Sequence, residues 1–507
     1  MTDPNRRFFD VDHLQTQLKE RSVSGGIWTF AAQLTSFLLN VGSLSLLGRL
    51  IAPSAFGTFD MVMVFAGFAL LFSDLGLGQA TVQRASLDQL TVSALFWINL
   101  LIGVSLSTLF ALSGRMIADF YGEPALLPVC AVLSVTFTLS AAEVQHKALL
   151  IRQMEFGKLS AINVLSQAIG VFVAAIGGAL GWAYWALVAM QLAVAGSRCA
   201  LTWWMNPWLP SSPKAMFHQS DAPSMLRFGL HLAGFNAINY FGRNADNAVI
   251  GRFSGNEALG LYSRAYKLLA LPLQQLNTPL ATVAIPALSR LQTTPAKFAS
   301  YYYEVVRIVA YGTLTMTAVL YATAESAIVV ILGSAWIGAA QLFKILAIAS
   351  FGQAISSTGG WLYTATGRSR AMLLFGLCTT PVIVLGFVIG ALWDGARGVA
   401  WSYAITSWLF RLPAIYFATR NTQVTLSGTL KASAPAALFA ILLGTAAWTV
   451  TRATPNLGAL ARLSLALSAT ALMTALLLVV PPLRRDLLQA LRVLEPKLNQ
   501  LRRKLPF

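Results

Sequence analysis

The chain has 507 residues, of which 11% are charged and 56% are hydrophobic, and its formal net charge is +17. An ordinary soluble domain carries about 25% charged residues. This composition excludes a soluble globular enzyme and a disordered protein, and three cysteines are too few for a disulfide scaffold. A large positive charge suits nucleic acid or an anionic membrane surface, and the positions of the charges decide between them.

Long apolar runs recur along the whole chain. A helix that crosses a bilayer needs about 20 mostly apolar residues, and the sequence contains about fourteen such runs, which predicts an all-α integral membrane protein. The predicted spans are 24–48, 58–76, 90–113, 125–142, 159–179, 182–203, 228–250, 258–289, 305–323, 339–363, 371–390, 396–418, 432–451 and 460–481. The over-long run 258–289 contains three prolines, which predicts a kinked helix.

Residues 1–23 are predicted to be a cytoplasmic segment. The first apolar run has 25 residues and no small-residue cleavage signal follows it, so a cleaved signal peptide is not expected. The three cysteines fall inside predicted spans and the four histidines are scattered, so the sequence predicts neither a disulfide framework nor a metal site. No pattern for catalysis or for a bound cofactor is present.

The distribution of basic residues predicts the orientation of the chain. With the N-terminus in the cytoplasm, the cytoplasmic segments and their boundary residues hold 26 of the 36 Lys and Arg residues, and the opposite face holds six. This bias follows the positive-inside rule, and an even number of spans places both termini in the cytoplasm. Fifteen of the seventeen net charges fall on cytoplasmic segments, which favours anionic membrane lipid and not nucleic acid as their partner.

The C-terminal segment 483–507 is basic and amphipathic. Its leucines recur at steps of three and four residues, which is the spacing of one helix face. We predict a helix that lies on the anionic cytoplasmic leaflet, with a helix that binds a partner protein as the alternative.

Two regions of the chain match each other at a constant offset of 203 residues. The matched pairs are Gly48 and Gly251, Arg49 and Arg252, Ala55 and Ala258, and Gly57 and Gly260. Each copy lies where the first span of a six-span set meets the second, which indicates two parallel six-helix repeats around a central cavity. The predicted organisation is an N-lobe at 24–203, a cytoplasmic linker at 204–227, a C-lobe at 228–418 and two extra spans at 432–481.

Besides the cations counted with the two membrane faces as boundary residues, seven ionisable residues fall inside predicted spans. Such groups are costly in a bilayer and are therefore candidates for function. The basic ones are Arg243, Arg264, Lys267 and Lys344, and the acidic ones are Asp60, Asp74 and Asp246. Arg264 and Lys267 fall on Met61 and Val64 of the first repeat, so the fold itself does not need cations at these positions.

Two interpretations of these charges stay open. In the first, the basic side chains form a cavity wall that binds an anionic substrate. In the second, they belong to an internal ion-pair network, in which Arg243 and Asp246 pair at i and i+3. Asp60 and Asp246 are candidates for coupling transport to a proton or a sodium ion. Asp74 is interpreted as a helix cap or a packing residue at the cytoplasmic end of its span.

A series of segments rich in glycine and aromatic residues has a distinctive order and spacing. They are FGTFDMVMVFAGFALLFSDLGLGQATVQR at 56–84, QLTVSALFWINLLIG at 89–103, ALLIRQMEFGKL at 148–159, NADNAVIGRFSGNEALGLYSRAYKLLALP at 244–272 and ATGRSRAML at 365–373. Together they resemble the polysaccharide-transporter (Wzx-type) oligosaccharide flippases of the multidrug/oligosaccharidyl-lipid/polysaccharide (MOP) exporter superfamily.

The resemblance implies a flippase of the bacterial inner membrane that works by alternating access and is not an enzyme. Its substrate would be an undecaprenyl-diphosphate-linked oligosaccharide repeat unit for exopolysaccharide, capsule or O-antigen/lipopolysaccharide. Basic side chains would hold the diphosphate, since arginine grips phosphate in a fork and lysine acts as a mobile point charge. A polysaccharide polymerase and the export machinery are candidate partners.

Three alternatives stay open at this point. A multidrug or cation antiporter of the same superfamily would usually have fewer spans and a cavity dominated by carboxylates. A lipid II flippase would have the same number of spans. A membrane-bound polysaccharide polymerase or ligase would need a sizeable outer loop with catalytic groups, whereas the longest outer loops of this chain have about 11–15 residues.

Overall fold

A computed structural model describes residues 8–9, 14–84, 87–213, 222–481 and 484–486. Within these residues the protein is all-helical, with no strand. Helices satisfy their own N–H and C=O groups, which is what a bilayer demands of a chain with so many apolar segments. The prediction of an all-α, multi-pass membrane protein is therefore confirmed.

Fifteen α-helices follow one another in the described part of the chain. They are α1 (Leu14–Leu50), α2 (Pro53–Leu70), α3 (Leu77–Gln83), α4 (Gln89–Tyr121), α5 (Leu126–Arg152), α6 (Phe156–Ala179), α7 (Tyr184–Met205), α8 (Ala222–Leu291), α9 (Pro295–Ala322), α10 (Ala324–Leu332), α11 (Ala339–Ala365), α12 (Ser369–Leu409), α13 (Arg411–Thr419), α14 (Leu426–Ala453) and α15 (Ala459–Val479).

Eleven helical segments of the described residues are long and apolar enough to cross a membrane. The number becomes twelve if α11, which bends by 40° between Gln353 and Ser356, is counted as one broken span. Two of the eleven, Tyr240–Leu291 and Ser369–Thr419, contain 52 and 51 residues. At about 1.5 Å per residue each would be about 75–80 Å long, more than twice the hydrocarbon thickness of a bilayer.

Both long segments contain non-helical residues. Gly255 interrupts α8 with φ of 81°, and Asp394 and Gly395 interrupt α12. A Cβ atom on Gly390 would overlap the carbonyl oxygen of Gly398, and one on Gly398 would overlap that of Gly390. The two halves of α12 therefore pack against each other with their backbones in contact, and only glycine permits so close an approach.

The chain divides into two compact units, Met1–Gly260 and Leu261–Phe507. In the first unit α4 packs along α5, α6 along α7, and α5 along α7. A buried cluster in this unit joins residues that are distant in sequence: Phe8, Phe9, Val92, Phe96, Leu149 and Trp208. The predicted lobe boundaries at 203 and 228 stay predictions.

The second unit is built around α9, which packs along α14 and α11. One of its cores joins Tyr311 and Leu314 of α9 to Phe439 and Leu443 of α14. Seven residues beyond the end of α15, Asp486 accepts a hydrogen bond of 2.9 Å from the hydroxyl of Tyr311. Residues 1–7 and 10–13 of the N-terminal segment, 214–221 of the predicted linker and 487–507 of the predicted amphipathic tail lie outside the described residues.

Many large apolar side chains are not covered by the protein itself. Leu112, Met116, Trp393 and Val479 are each 73% to 76% exposed. Soluble monomers do not leave apolar surface of this extent open to water. The pattern fits helices whose outer faces are covered by lipid chains.

Candidate functional site

Four of the seven charged residues singled out above lie in the first unit. Three of these four, Asp60, Arg243 and Asp246, lie on helices α2 and α8. Asp60 is half-buried on α2, whereas Arg243 is exposed on α8. Asp246 is 4% exposed, and its Oδ1 accepts a hydrogen bond of 2.8 Å from the N–H of Asn247. A buried carboxylate thus lies one helical turn from an exposed guanidinium group, and their predicted pairing stays a prediction.

Asp74, the fourth, lies in the short connection between α2 and α3. Its Oδ1 accepts a hydrogen bond of 2.8 Å from the N–H of Gly78, in the first turn of α3. The first N–H groups of a helix have no partner within the helix, and a negative charge there interacts favourably with the helix dipole. The geometry at Asp74 is therefore that of a helix cap.

The other three residues lie in the second unit. Arg264 is half-buried and Lys267 is exposed, and both belong to the part of α8 that follows Gly255. Being three residues apart, they project from the same face of the helix. The structure therefore keeps these two cations together as neighbours on α8.

Two tyrosines of this stretch of α8 begin a chain of contacts that extends to a tyrosine of α12 and an amide side chain of α11. The rings of Tyr262 and Tyr266 stack with centroids 6.5 Å apart, and Tyr266 meets Tyr403 of α12 edge-to-face at 6.1 Å. The hydroxyl of Tyr403 accepts a hydrogen bond from Nε2 of Gln353, at the bend of α11. Polar aromatic groups of this kind suit contact with a sugar chain, since they combine an apolar face with a hydrogen-bonding tip.

Lys344 of α11 pairs with a carboxylate within the second unit. Its Nζ lies 2.7 Å from Oε1 of Glu325, on the short helix α10. The hydrogen bond from Lys344 lowers the pKa of the Glu325 carboxyl group below its ordinary value. A cation already matched by a carboxylate is a poor ligand for a diphosphate, so the geometry at Lys344 favours the ion-pair interpretation.

An ion pair between a buried glutamate and a half-buried arginine of the first unit escaped the sequence analysis. Glu143 of α5 is 7% exposed, and its Oε1 lies 3.6 Å from Nε of Arg198 on α7. The hydropathy pattern ends the predicted span 125–142 just before Glu143, although α5 continues to Arg152. The apolar run 148–151 could have indicated that the helix continues beyond Glu143.

Arg411 is a second buried charge that the sequence analysis treated as a cytoplasmic boundary residue. It is 5% exposed, and its guanidinium carbon lies 3.7 Å from the ring centroid of Trp408. Its Nη2 is 3.5 Å from the carbonyl oxygen of Ala349, and a Cβ atom on Gly352 would overlap the guanidinium group. Stacking on tryptophan and a glycine-lined space on α11 accommodate this charge inside the second unit.

Clusters of metal ligands were also sought among the described residues. No group of three or more His, Cys, Asp or Glu side chains there could hold a metal ion. The three cysteines are free thiols, with Cys130 buried and Cys378 exposed. The polar chemistry of the described helices therefore consists of cations, carboxylates, amides and hydroxyl groups.

Comparison with known proteins gives the family. Residues 46–341, more than half of the chain, match the family described as polysaccharide biosynthesis protein. The chain belongs to this polysaccharide biosynthesis protein family. The matched range includes Asp60, Arg243, Arg264 and Lys267, and the family predicted from the sequence segments is confirmed.

Two relatives cover most of the chain. The teichuronic acid biosynthesis protein TuaB of Bacillus subtilis (strain 168) is 26% identical over 464 residues, which are 90% of this chain and 94% of TuaB. The succinoglycan biosynthesis transport protein ExoT of Rhizobium meliloti (strain 1021) is 22% identical over 369 residues, which are 72% of this chain and 74% of ExoT.

The fold is similar to that of a solved transporter. The lipid II flippase MurJ, in an inward closed conformation, superposes with a TM-score of 0.69 and covers 92% of this chain and 100% of its own. The two sequences are 12% identical, so this likeness concerns the fold alone.

Proposed function

We propose that this protein is a flippase that moves undecaprenyl-diphosphate-linked oligosaccharide repeat units across the bacterial inner membrane by alternating access. The observation that carries the proposal is the family match over residues 46–341, which connects this multi-pass helical chain with polysaccharide biosynthesis. The similarity to ExoT, a succinoglycan biosynthesis transport protein, and to the fold of MurJ supports transport, and not an enzymatic step, as the activity.

The proposed flippase crosses the membrane fourteen times, with both termini in the cytoplasm. Eleven apolar segments are present in the described residues, and the bent helix α11 supplies one further crossing. Two of the eleven are each long enough for two crossings, and both contain a break at glycine, Gly255 or Gly395. Counting each of them as two spans supports the fourteen crossings predicted from hydropathy.

The proposed repeats are supported by a reciprocal contact within the first unit. A Cβ atom on Gly57 would overlap the carbonyl oxygen of Asn256, and a Cβ atom on Gly260 would overlap that of Pro53. Gly260 is the counterpart of Gly57, and Asn256 of Pro53, at the offset of 203 residues. An exchange of equivalent contacts is what two copies related by a two-fold axis would make. The predicted central cavity between the repeats stays a prediction.

Arg264 and Lys267 are our candidates for holding the diphosphate, with Arg243 as a third cation. Two cations three residues apart on one helix face suit a diphosphate, because its phosphate oxygens can accept from both side chains. Asp60 and Asp246 remain candidates for coupling to a proton or a sodium ion. A polysaccharide polymerase and the export machinery remain candidate partners.

The alternative activities differ in what they need. A drug or cation exporter would favour carboxylates in its binding cavity, and not two neighbouring cations such as Arg264 and Lys267 of α8. A lipid II flippase would share the fold. The family match favours the polysaccharide flippase over a lipid II flippase, because that family is described by polysaccharide biosynthesis. A polymerase or ligase would need a catalytic domain outside the membrane, for which the longest outer loops of about 11–15 residues leave little room.

Deletion of the gene in its host tests the proposed function. We expect lipid-linked repeat units to accumulate on the cytoplasmic side of the inner membrane and the surface polysaccharide to disappear, because synthesis continues without translocation. A plasmid copy should restore export. Normal amounts of surface polysaccharide in a clean deletion strain would rule the proposal out.

A further inference from the structure

The first unit contains a polar cavity that the charged residues of α8 do not line. Its volume is about 680 Å³, and the connection between α2 and α3, together with α5 and α7, surrounds it. The seven charged or amide side chains that line it are Asp74, Gln79, Gln83, Glu143, Lys147, Gln191 and Arg198. A site of this volume is in the range of small-molecule pockets.

The cavity lies in the part of the first unit that is cytoplasmic in the proposed topology. Glu143 is nine residues before the end of α5 at Arg152, about 14 Å along the helix axis. Arg198 is seven residues before the end of α7 at Met205, about 10 Å along that axis. Both helices end on the cytoplasmic side, so a lipid-linked substrate made in the cytoplasm meets this region first.

A buried oxygen in this cavity has capacity for a ligand. Glu143 is 93% buried, and its Oε2 has no hydrogen-bond partner among the described residues. Its Oε1 lies 3.6 Å from Nε of Arg198, which is beyond hydrogen-bond length, and that Nε also lacks a hydrogen-bond partner there. Buried polar atoms are normally hydrogen-bonded, so both atoms are available to a ligand that donates and accepts.

The balance of groups narrows the chemistry of that ligand. Two carboxylates, Asp74 and Glu143, offset two cations, Lys147 and Arg198, so the cavity is not a site for a strongly charged anion. The described part of the chain offers no set of side chains for a metal ion. Carboxylates accept hydrogen bonds from hydroxyl groups, while amides and cations donate to them. An uncharged polyhydroxyl compound satisfies every one of these groups.

We propose that this cavity binds the sugar part of the lipid-linked oligosaccharide, with Glu143 and Gln191 as hydrogen-bonding residues. The inference rests on the proposed function and deepens it, since it assigns the glycan to the first unit and leaves the diphosphate to the cations of α8. It also gives the Glu143–Arg198 pair a role in selecting the substrate.

Binding of the free oligosaccharide to the purified full-length protein tests this assignment. The probe is the repeat-unit oligosaccharide released by mild acid from the host's own polysaccharide, without lipid or diphosphate, and inorganic diphosphate is the second probe. We expect the protein in lipid nanodiscs to bind the oligosaccharide, and Glu143→Gln and Gln191→Leu to weaken this binding by about tenfold or more. Neither variant should change the binding of inorganic diphosphate.

Two controls protect the test against misfolding. Glu155→Gln changes a glutamate that pairs with Lys158 at 3.9 Å and does not line the cavity, and it should bind like the wild type. Glu143→Gln leaves Arg198 without its carboxylate, so the double variant Glu143→Gln/Arg198→Gln removes both charges, and Gln191→Leu keeps both. Thermal unfolding in nanodiscs identifies the variants that fold.

The outcomes separate the site from the function. Wild-type affinity for the oligosaccharide in folded Gln191→Leu and in the double variant would overturn the assignment, as would a wild-type protein that does not bind it. If the wild type translocates lipid-linked oligosaccharide but the cavity variants bind normally, only the cavity assignment fails. If the oligosaccharide binds at the cavity but no translocation occurs, only the flippase proposal fails.

Discussion

At the scale of single residues, the charges inside the helices have surroundings of different kinds. Asp74 caps a helix, and Lys344 is bound to Glu325 at 2.7 Å. Arg264 and Lys267 lie three residues apart on one face of α8. The first two residues are explained by local structure, so the search for groups that bind an anionic substrate concentrates on α8.

Removal of the paired cations of α8 should stop export. We expect Arg264→Ala and Lys267→Ala each to reduce surface polysaccharide by about tenfold or more, because each removes a charge-assisted contact to phosphate. The control is Arg290→Ala, an exposed cation at the end of the same helix, which should export normally. Quantitative immunoblotting of membranes gives the protein level. A loss of the protein itself in both variants would favour the internal ion-pair network.

Replacement of Lys344 should have a small effect. The side chains of Lys344 and Glu325 are 36% and 54% exposed, and an ion pair with this exposure contributes at most about 1 kcal/mol to stability. We therefore expect Lys344→Gln to keep export and to lower the unfolding temperature slightly. Export lost in Lys344→Gln but restored in Lys344→Arg would instead place Lys344 among the substrate-binding cations.

Sequence reasoning found only some of the buried charges, for a physical reason. Hydropathy locates the apolar part of a helix, but helical hydrogen bonding continues past the first charged residue. Glu143 lies in such a continuation, whereas Arg198 lies inside the predicted span 182–203, and the proximity of the two depends on the packing of α5 against α7. Arg411 was missed because the space for its buried guanidinium group depends on Gly352, which is 59 positions away in the sequence. Tertiary packing of this kind leaves no local pattern.

At the scale of helices, most predicted spans correspond to observed helices. The predicted span 90–113 lies within α4, and 460–481 nearly coincides with α15. The structure joins the predicted spans 371–390 and 396–418 into one apolar segment, because Asp394 and Gly395 break the helix for only two residues. Hydropathy separates the two spans because polar and glycine residues interrupt the apolar run, although the helix itself is interrupted for only two residues.

The contact between the repeated glycines makes a prediction at this scale. We expect Gly57→Ala to destabilise the protein by about 1–3 kcal/mol, because the added methyl group has no room beside Asn256. The matched control is Gly42→Ala on α1, where no atom lies within 4 Å of the added carbon and where alanine should stabilise the helix by up to about 1 kcal/mol.

Unfolding temperatures of the two variants in the same detergent give the comparison. We expect Gly260→Ala to behave like Gly57→Ala, because the two glycines make equivalent contacts. Unfolding temperatures of Gly57→Ala and Gly260→Ala at or above that of the wild type would contradict the close approach, and with it the support it gives to the repeat.

At the scale of the whole molecule, family, fold and charge distribution agree on a membrane transporter of polysaccharide biosynthesis. The family match and the fold likeness to MurJ cover most of the chain. The net charge of +17 resides mainly in segments predicted to be cytoplasmic, so it predicts the orientation of the protein and does not define its substrate. The specific chemistry lies in a few charges within the helices and in the polar cavity of the first unit.

The proposed topology can be tested with single cysteines in exposed loops. Asn456 lies between α14 and α15 and Asn421 between α13 and α14, and both are exposed. In a variant without the three native cysteines, we expect Asn456→Cys to react with a membrane-impermeant maleimide in intact spheroplasts. Asn421→Cys should react only after permeabilisation. The reverse pattern would invert the orientation.

Translocation by the purified protein tests the central claim most directly. The assay uses proteoliposomes with a fluorescent, undecaprenyl-diphosphate-linked repeat unit in both leaflets, and a membrane-impermeant quencher reports the fraction in the outer leaflet. With the wild-type protein we expect quenching to continue beyond the outer-leaflet fraction as inner-leaflet substrate is moved outward, and the Arg264→Ala/Lys267→Ala variant should resemble protein-free liposomes. Quenching by the wild type that stops at the level of protein-free liposomes would contradict the proposal.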